Sequence, residues 1–192
     1  MVRKPRPRGK FVIRSPQQLR ALRTPTRHRV LGAVLGLGRC SVAEIAKRLD
    51  WKAESLYYHV RALVEAGLIR RVEQRPTGHR NETVYEAVAS EIVLDQSNRS
   101  EEYLRAVRDV YRAALRATER DLESALESER KGKGPRLNTM LQRFTVRLSV
   151  ADLRQLRAML AEIGNFIAEH ENPAASKEVA VTMVFSKLDP RL

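Results

Sequence analysis

Cysteine occurs once, at Cys40, so no internal disulfide can staple the fold, and a lone thiol suits a reducing compartment. The longest uncharged run, Val30–Gly38, has nine residues, about half of the ~18 that a membrane-spanning helix needs. The basic N-terminus leads into no apolar stretch and no small-residue cleavage site, so it does not read as a secretory signal. Together these absences predict a cytoplasmic protein, associated with the nucleoid if its partner is DNA. Aromatic residues make up 5% of the chain and fall mostly at helical core spacing, too few for the stacking platforms that read single-stranded RNA. No P-loop, G-x-G-x-x-G or G-x-S-x-G motif occurs, and no Cys/His or paired-carboxylate constellation stands out. No enzyme, metal site or cofactor is expected; His28, His59, His79 and His170 are scattered without ligand spacing.

Acidic residues are also missing from the whole of the chain before Glu44, although eleven Lys and Arg precede it. Residues 1–80 carry 19 Lys+Arg against 5 Asp+Glu, whereas residues 81–192 carry 17 against 18. A basic part joined to a neutral part predicts a polyanion-binding module attached to a unit with another task. Double-stranded DNA is the expected partner. Residues 1–10 alternate cations with Pro5 and Pro7, which favours a flexible basic arm, and residues 1–14 are too rich in proline for the amphipathic basic helix that a membrane surface would require. With 192 residues, 43% hydrophobic and 31% charged, the chain is long enough for two small domains.

Helical punctuation begins at Ser15-Pro16 and again at Thr24-Pro25, where Val30, Leu31, Val34 and Leu35 follow at helical spacing. Ser41 and Glu44 then form an S-x-x-E capping box ahead of Val42, Ile45, Ala46 and Leu49. Asp50-Trp51-Lys52 interrupts the period. A second helix runs from Ala53 to Ala66 with Leu56, Val60 and Leu63 inward, and Gly67 supplies its left-handed stop. Two helices joined by a three-residue turn and preceded by a third predict a helix-turn-helix. Leu68–Arg75 and Thr83–Val88 read as strands on either side of a turn at residues 76–81, a β-hairpin placed where a wing belongs.

Residues 25–88 resemble the winged helix-turn-helix of ArsR-like transcriptional regulators, in the branch whose recognition helix carries Leu56-Tyr57-Tyr58-His59, followed by Leu63 and by Glu65-Ala66-Gly67-Leu68-Ile69. The resemblance implies a DNA-binding regulator, more often a repressor. It also implies, for the metal-sensing members, paired cysteines in the helix-turn-helix or paired His and acid ligands on the following long helix; Cys40 is alone and Ser100 to Arg130 has no histidine.

With Leu56, Val60 and Leu63 assigned to the core, the outward set on the recognition helix is Lys52, Ala53, Glu54, Ser55, Tyr57, Tyr58 and Arg61. Lys52 and Arg61 suit phosphates, and Glu54 suits a cytosine amino group. Tyr58 either faces DNA or packs on the wing. Arg75, His79 and Arg80 ring the wing tip, where cations suit phosphate or the minor groove. Residues 99–130 lack Pro and Gly, and Leu104, Val107, Tyr111, Ala114, Thr118 and Leu122 recur at spacings near three and four, predicting a helix about 45 Å long that seals a homodimer. Beyond it, Phe144, Val146 and Leu148 alternate as a strand, a helix follows Ser149, and Val179–Phe185 reads as a second strand. The fold class is α+β, mostly α. Its expected parts are an arm (1–14), a winged helix-turn-helix (15–90), a dimerisation helix (99–130) and a C-terminal β-α-β unit (135–192). That last unit reads as structural, with a small-molecule effector pocket as its second reading. An architectural or nonspecific DNA-binding protein is the alternative for the whole chain.

Overall fold

The computed structural model describes residues 9–78, 80–131, 139–170 and 179–186. The chain divides into two compact units, Met1–Glu119 and Arg120–Leu192. The first contains β1 (Lys10–Ile13), α1 (Pro16–Ala21), α2 (Pro25–Leu37), β2 (Cys40–Ser41), α3 (Val42–Leu49), α4 (Ala53–Glu65), β3 (Ile69–Thr77), β4 (Arg80–Ala87) and β5 (Glu91–Leu94). The long helix α5 (Glu101–Arg130) starts in it, and α6 (Val150–His170) lies in the second unit.

Local chemistry sets most helix ends. Ser15 caps α1 through a reciprocal capping box with Gln18, with Pro16 at the first helical position. Thr24 accepts from the Arg27 amide at the start of α2. Ser41 and Glu44 close the expected box at α3 (Glu44 N to Ser41 Oγ 3.2 Å, Ser41 N to Glu44 Oε2 2.8 Å). Asp50 ends α3 in the left-handed region (φ 54°), a conformation that a short polar side chain tolerates. Gly67 (φ 68°) turns the chain out of α4, where a Cβ would be strained.

Leu19, Val30, Val34, Ile45, Leu56, Leu63, Leu68 and Ile69 are almost wholly buried in one apolar cluster that α1–α4 and the base of β3 share. Helix α5 closes it with Tyr103, Ala106 and Val110. The buried Tyr103 hydroxyl accepts from the Asp95 amide (2.7 Å) and donates to the Ile13 carbonyl (2.7 Å). One phenol therefore satisfies backbone groups from two distant strand ends, and burial pushes its pKa up.

Three sequence expectations change. Lys10–Ile13 belongs to a strand that pairs in parallel with β5 (Lys10↔Glu91 to Ile13↔Leu94); the arm therefore ends before residue 10, and its residues 1–8 lie outside the described residues. The hairpin is longer than read, because Pro76↔Asn81 and Thr77↔Arg80 are paired. Pro76 is tolerated there because β3 is the outer strand of the order β2-β4-β3. Finally, residues 139–149 and 179–186 form no strand. A strand needs a neighbour for its backbone N–H and C=O groups, and among the described residues neither segment joins a sheet. Of the expected β-α-β unit, the helix is present, opened by Ser149, whose hydroxyl accepts from the Asp152 amide (3.1 Å).

Candidate nucleic-acid interface

Helix α4 divides cleanly by burial. Leu56, Val60 and Leu63 are buried, whereas Lys52, Glu54, Ser55, Tyr57, Tyr58 and Arg61 are exposed. Positions 54, 57, 58 and 61 are helical neighbours, so they form one continuous outward face. Two large aromatics stand on it largely in solvent, Tyr57 at 60% and Tyr58 at 67% exposure. Ala53, also expected outward, is half-buried against the core. Lys52 occupies the N-cap position and provides no side-chain cap. Ser55 returns its hydroxyl to the Lys52 carbonyl (2.7 Å), so it meets an incoming group as an acceptor. The first turn of α4 thus keeps amides and the positive end of its dipole available for an anion.

Helix α2 contributes two residues to this region that sequence reasoning missed. The Arg27 guanidinium lies over the Tyr58 ring (5.4 Å to the centroid), and Arg29 lies over Trp51 (4.9 Å) in the turn between α3 and α4. Such stacks hold a cation while leaving it partly free to meet phosphate. Trp51 is half-buried against the core, consistent with packing rather than stacking on a base. His59, edge-on to Tyr58 at 5.4 Å, is half-buried. Burial, and then the charge of Arg27, hold its imidazole below the ordinary 6.5, and burial likewise lowers His28. No spacing rule links residues 27 and 29 to 58 and 51, since their proximity exists only once α2 crosses α4.

The hairpin presents a different picture at Arg75. Its guanidinium lies 3.0 Å from Glu44 Oε2 and 3.4 Å from Glu82 Oε2, and the Glu44 hydrogen bond above all raises its pKa. Glu44 is the capping residue of α3, so Arg75 fastens the hairpin to the first helix of the pair. Two carboxylates already neutralise it, which leaves it ill-suited to a phosphate. Of the other expected hairpin residues, His79 lies outside the described residues, and Arg80 opens β4 opposite Thr77. An Arg75→Ala variant is expected to loosen the hairpin and weaken duplex binding a few-fold, while leaving the salt slope within half a unit of wild type. A loss of ~1 in the slope of log K against log salt would return Arg75 to the phosphate contacts.

A buried carboxylate organises the sheet beneath. Glu86 sits on the central strand, directly opposite Arg70 on β3, with Arg39 just ahead of β2 on its other side. Its side chain is 4% exposed and receives Arg70 Nη2 at 2.6 Å, Arg70 Nε at 2.9 Å and Arg39 Nε at 3.1 Å. Burial pushes the carboxyl up, but the hydrogen bonds and charges of Arg70 and Arg39 outweigh it and hold the pKa below the usual value. An acid inside the apolar-looking run Val84–Val88 was the available signal.

Residues 22–72, spanning α2, α3, α4 and the first part of β3, match the family model of a helix-turn-helix domain. The chain carries a helix-turn-helix domain. It occupies roughly a quarter of the sequence, and the outward face of α4 is the second helix of its pair, the element that enters the major groove in such domains. No curated protein matches the chain.

The expected dimer seam on α5 resolves into two stripes. Tyr103, Ala106, Val110 and Ala113 are buried, and Val107, expected in the seam, packs half-buried beside them. Leu104, Tyr111 and Leu122 remain exposed together with Leu115 and Leu126. Ala114 and Thr118 are half-buried between the stripes, with the Thr118 hydroxyl donating to the Ala114 carbonyl (3.1 Å). The expected stripe follows the open side of the helix, and the stripe that faces the core, Tyr103, Ala106, Val110 and Ala113, was not among the residues that spacing picked out.

Proposed function

We propose that the protein is a homodimeric, sequence-specific DNA-binding transcriptional regulator of the ArsR-like winged helix-turn-helix type, acting in the cytoplasm as a repressor. The observation that carries this reading is the exposed face of α4, where Lys52, Glu54, Ser55, Tyr57, Tyr58 and Arg61 stand together on the second helix of a helix-turn-helix domain. Lys52 and Arg61 hold phosphates, joined by Arg29, while Glu54, Ser55 and the two tyrosines reach base edges or the thymine methyl. The β3–β4 hairpin acts as the wing, and His79, Arg80 and the basic residues of segment 1–8 are assigned to contacts with the flanking backbone. The outward stripe of α5 at Leu104, Tyr111, Leu115 and Leu122 forms the dimer seam, placing two recognition helices in successive major grooves. Any small-molecule effector must bind the DNA-competent and DNA-incompetent dimers with different affinity.

Selection of bound duplexes from a random pool at near-physiological salt tests this reading, because such salt suppresses nonspecific electrostatic binding. An inverted repeat with half-sites about ten base pairs apart is expected. Recovery of no shared sequence, with binding that collapses as salt rises, would replace it with an architectural, nonspecific DNA-binding role.

A further inference from the structure

Fifteen large apolar side chains between Met140 and Phe185 are 39% to 88% exposed. Summed, they expose on the order of 1,000 Å² of apolar surface, comparable to the ~800 Å² that each partner buries in a standard interface. The pattern within this surface is ordered. Phe144, Val146 and Leu148 alternate with Arg143, Thr145 and Arg147, giving a segment with one apolar and one polar face. Residues 179–186 carry Val, Val, Met and Phe at the odd positions and Ala, Thr, Val and Ser at the even ones, so both faces are suited to burial. Between them α6 has Leu153, Leu156 and Leu160 half-buried, while Met159, Ile163 and Phe166 stand exposed on the same helix. One contact already joins the pieces, the Arg157 guanidinium over the Phe185 ring at 5.3 Å.

One chain cannot complete this unit. Two strands and one helix leave a two-stranded sheet with an open edge and an uncovered apolar face, and such sheets are marginal in water. A second copy doubles the strands to four. Charge favours that occupant. Residues 139–186 hold five Lys+Arg and five Asp+Glu, and the signs are segregated: residues 143–157 carry four Arg and one Asp, whereas residues 158–178 carry four Glu and one Lys. A two-fold axis sets the basic first half of each α6 (Arg154, Arg157) against the acidic second half of the other (Glu162, Glu169).

We infer that residues 143–149 and 179–185 become strands only when two chains meet, forming one four-stranded sheet covered by two α6 helices. The 179–185 segments, apolar on both faces, lie at the centre and pair across the two-fold axis. The 143–149 segments form the outer edges, where Arg143 and Arg147 discourage further strand addition. The inference deepens the homodimer reading, and its test uses no DNA, so its failure is separate from a failure of the regulator assignment.

The experiment is hydrogen exchange on the full chain across a concentration series, with mass measured in parallel by analytical ultracentrifugation. Amides of residues 179–185 are expected to gain protection of at least tenfold in step with the dimer fraction. A dimer in which these amides stay unprotected, protection that is full in the monomer, or a chain monomeric at all concentrations each overturns the inference. Val181→Asp is expected to raise the dimer dissociation constant at least 100-fold, and an unchanged constant overturns it. As an independent variant, Glu162→Arg/Glu169→Arg is expected to dimerise poorly alone yet to pair with an Arg154→Glu/Arg157→Glu chain; failure of the mixed pair to form overturns the two-fold charge arrangement.

Discussion

Arg39→Ala combined with Arg70→Ala is expected to destabilise the N-terminal unit by about 3–5 kcal/mol at pH 7, the cost of leaving a buried carboxylate without its counter-charges. Glu86 is 4% exposed at the centre of the sheet, so its charge is balanced by these two arginines and not by bulk water. Each single variant leaves one guanidinium in place and is expected to cost about 1–2 kcal/mol, so the pair costs more than the sum of its parts. The pH dependence changes sign. In the wild type the two arginines hold the Glu86 pKa below its ordinary 4.5. Its contribution is therefore complete above that value and is lost as pH falls through the lower folded value. In the double variant burial acts alone and raises the carboxyl, so the folded state favours the proton. Stability then declines as pH rises from about 4.5, the ordinary value, toward the raised one. Urea unfolding across this range decides the matter. A double variant as stable at pH 7 as at pH 4.5 would mean that Glu86 reaches water or another cation.

Lys52→Ala with Arg61→Ala is expected to weaken binding to every duplex by about 10- to 100-fold at moderate salt and to flatten the slope of log K against log salt by about 1.8, two phosphates' worth. Both side chains are exposed on the outward face of α4, and both lack an ion-pair partner among the described residues, in contrast to Arg75. The preference among sequences is expected to survive, because phosphate contacts carry no base information. Fluorescence anisotropy with one selected and one scrambled duplex over a salt series separates these effects. Equal slopes for variant and wild type would remove both residues from the backbone contacts.

Much of the recognition region was legible without coordinates. Ser41 and Glu44 stand three apart and cap α3, Gly67 stops α4, and Leu56, Val60 and Leu63 define which side of α4 faces inward. What escaped notice depends on side chains far apart in sequence. Arg75 looked like a free cation on a wing until the hairpin folded toward α3 and brought it against Glu44. Nothing in the spacing singles out Tyr103, whose hydroxyl joins the ends of β1 and β5 only in the folded chain. The alternation of Phe144, Val146 and Leu148 and the apolar run Val179–Phe185 predict strands that the chain does not form, because such patterns describe which faces seek burial and say nothing about whether a partner strand is present.

By itself, then, the sequence determined the helix boundaries, the inward and outward faces of α4, the segregation of positive charge and the hairpin, all of which arise from interactions within a few residues. The tertiary structure alone decided that β1 pairs with β5, that Arg39 and Arg70 neutralise Glu86, that Arg27 and Arg29 cover Tyr58 and Trp51, and which stripe of α5 remains open. These depend on how residues 16 to 81 positions apart are brought together, and a local pattern specifies that a face must be covered without specifying what covers it.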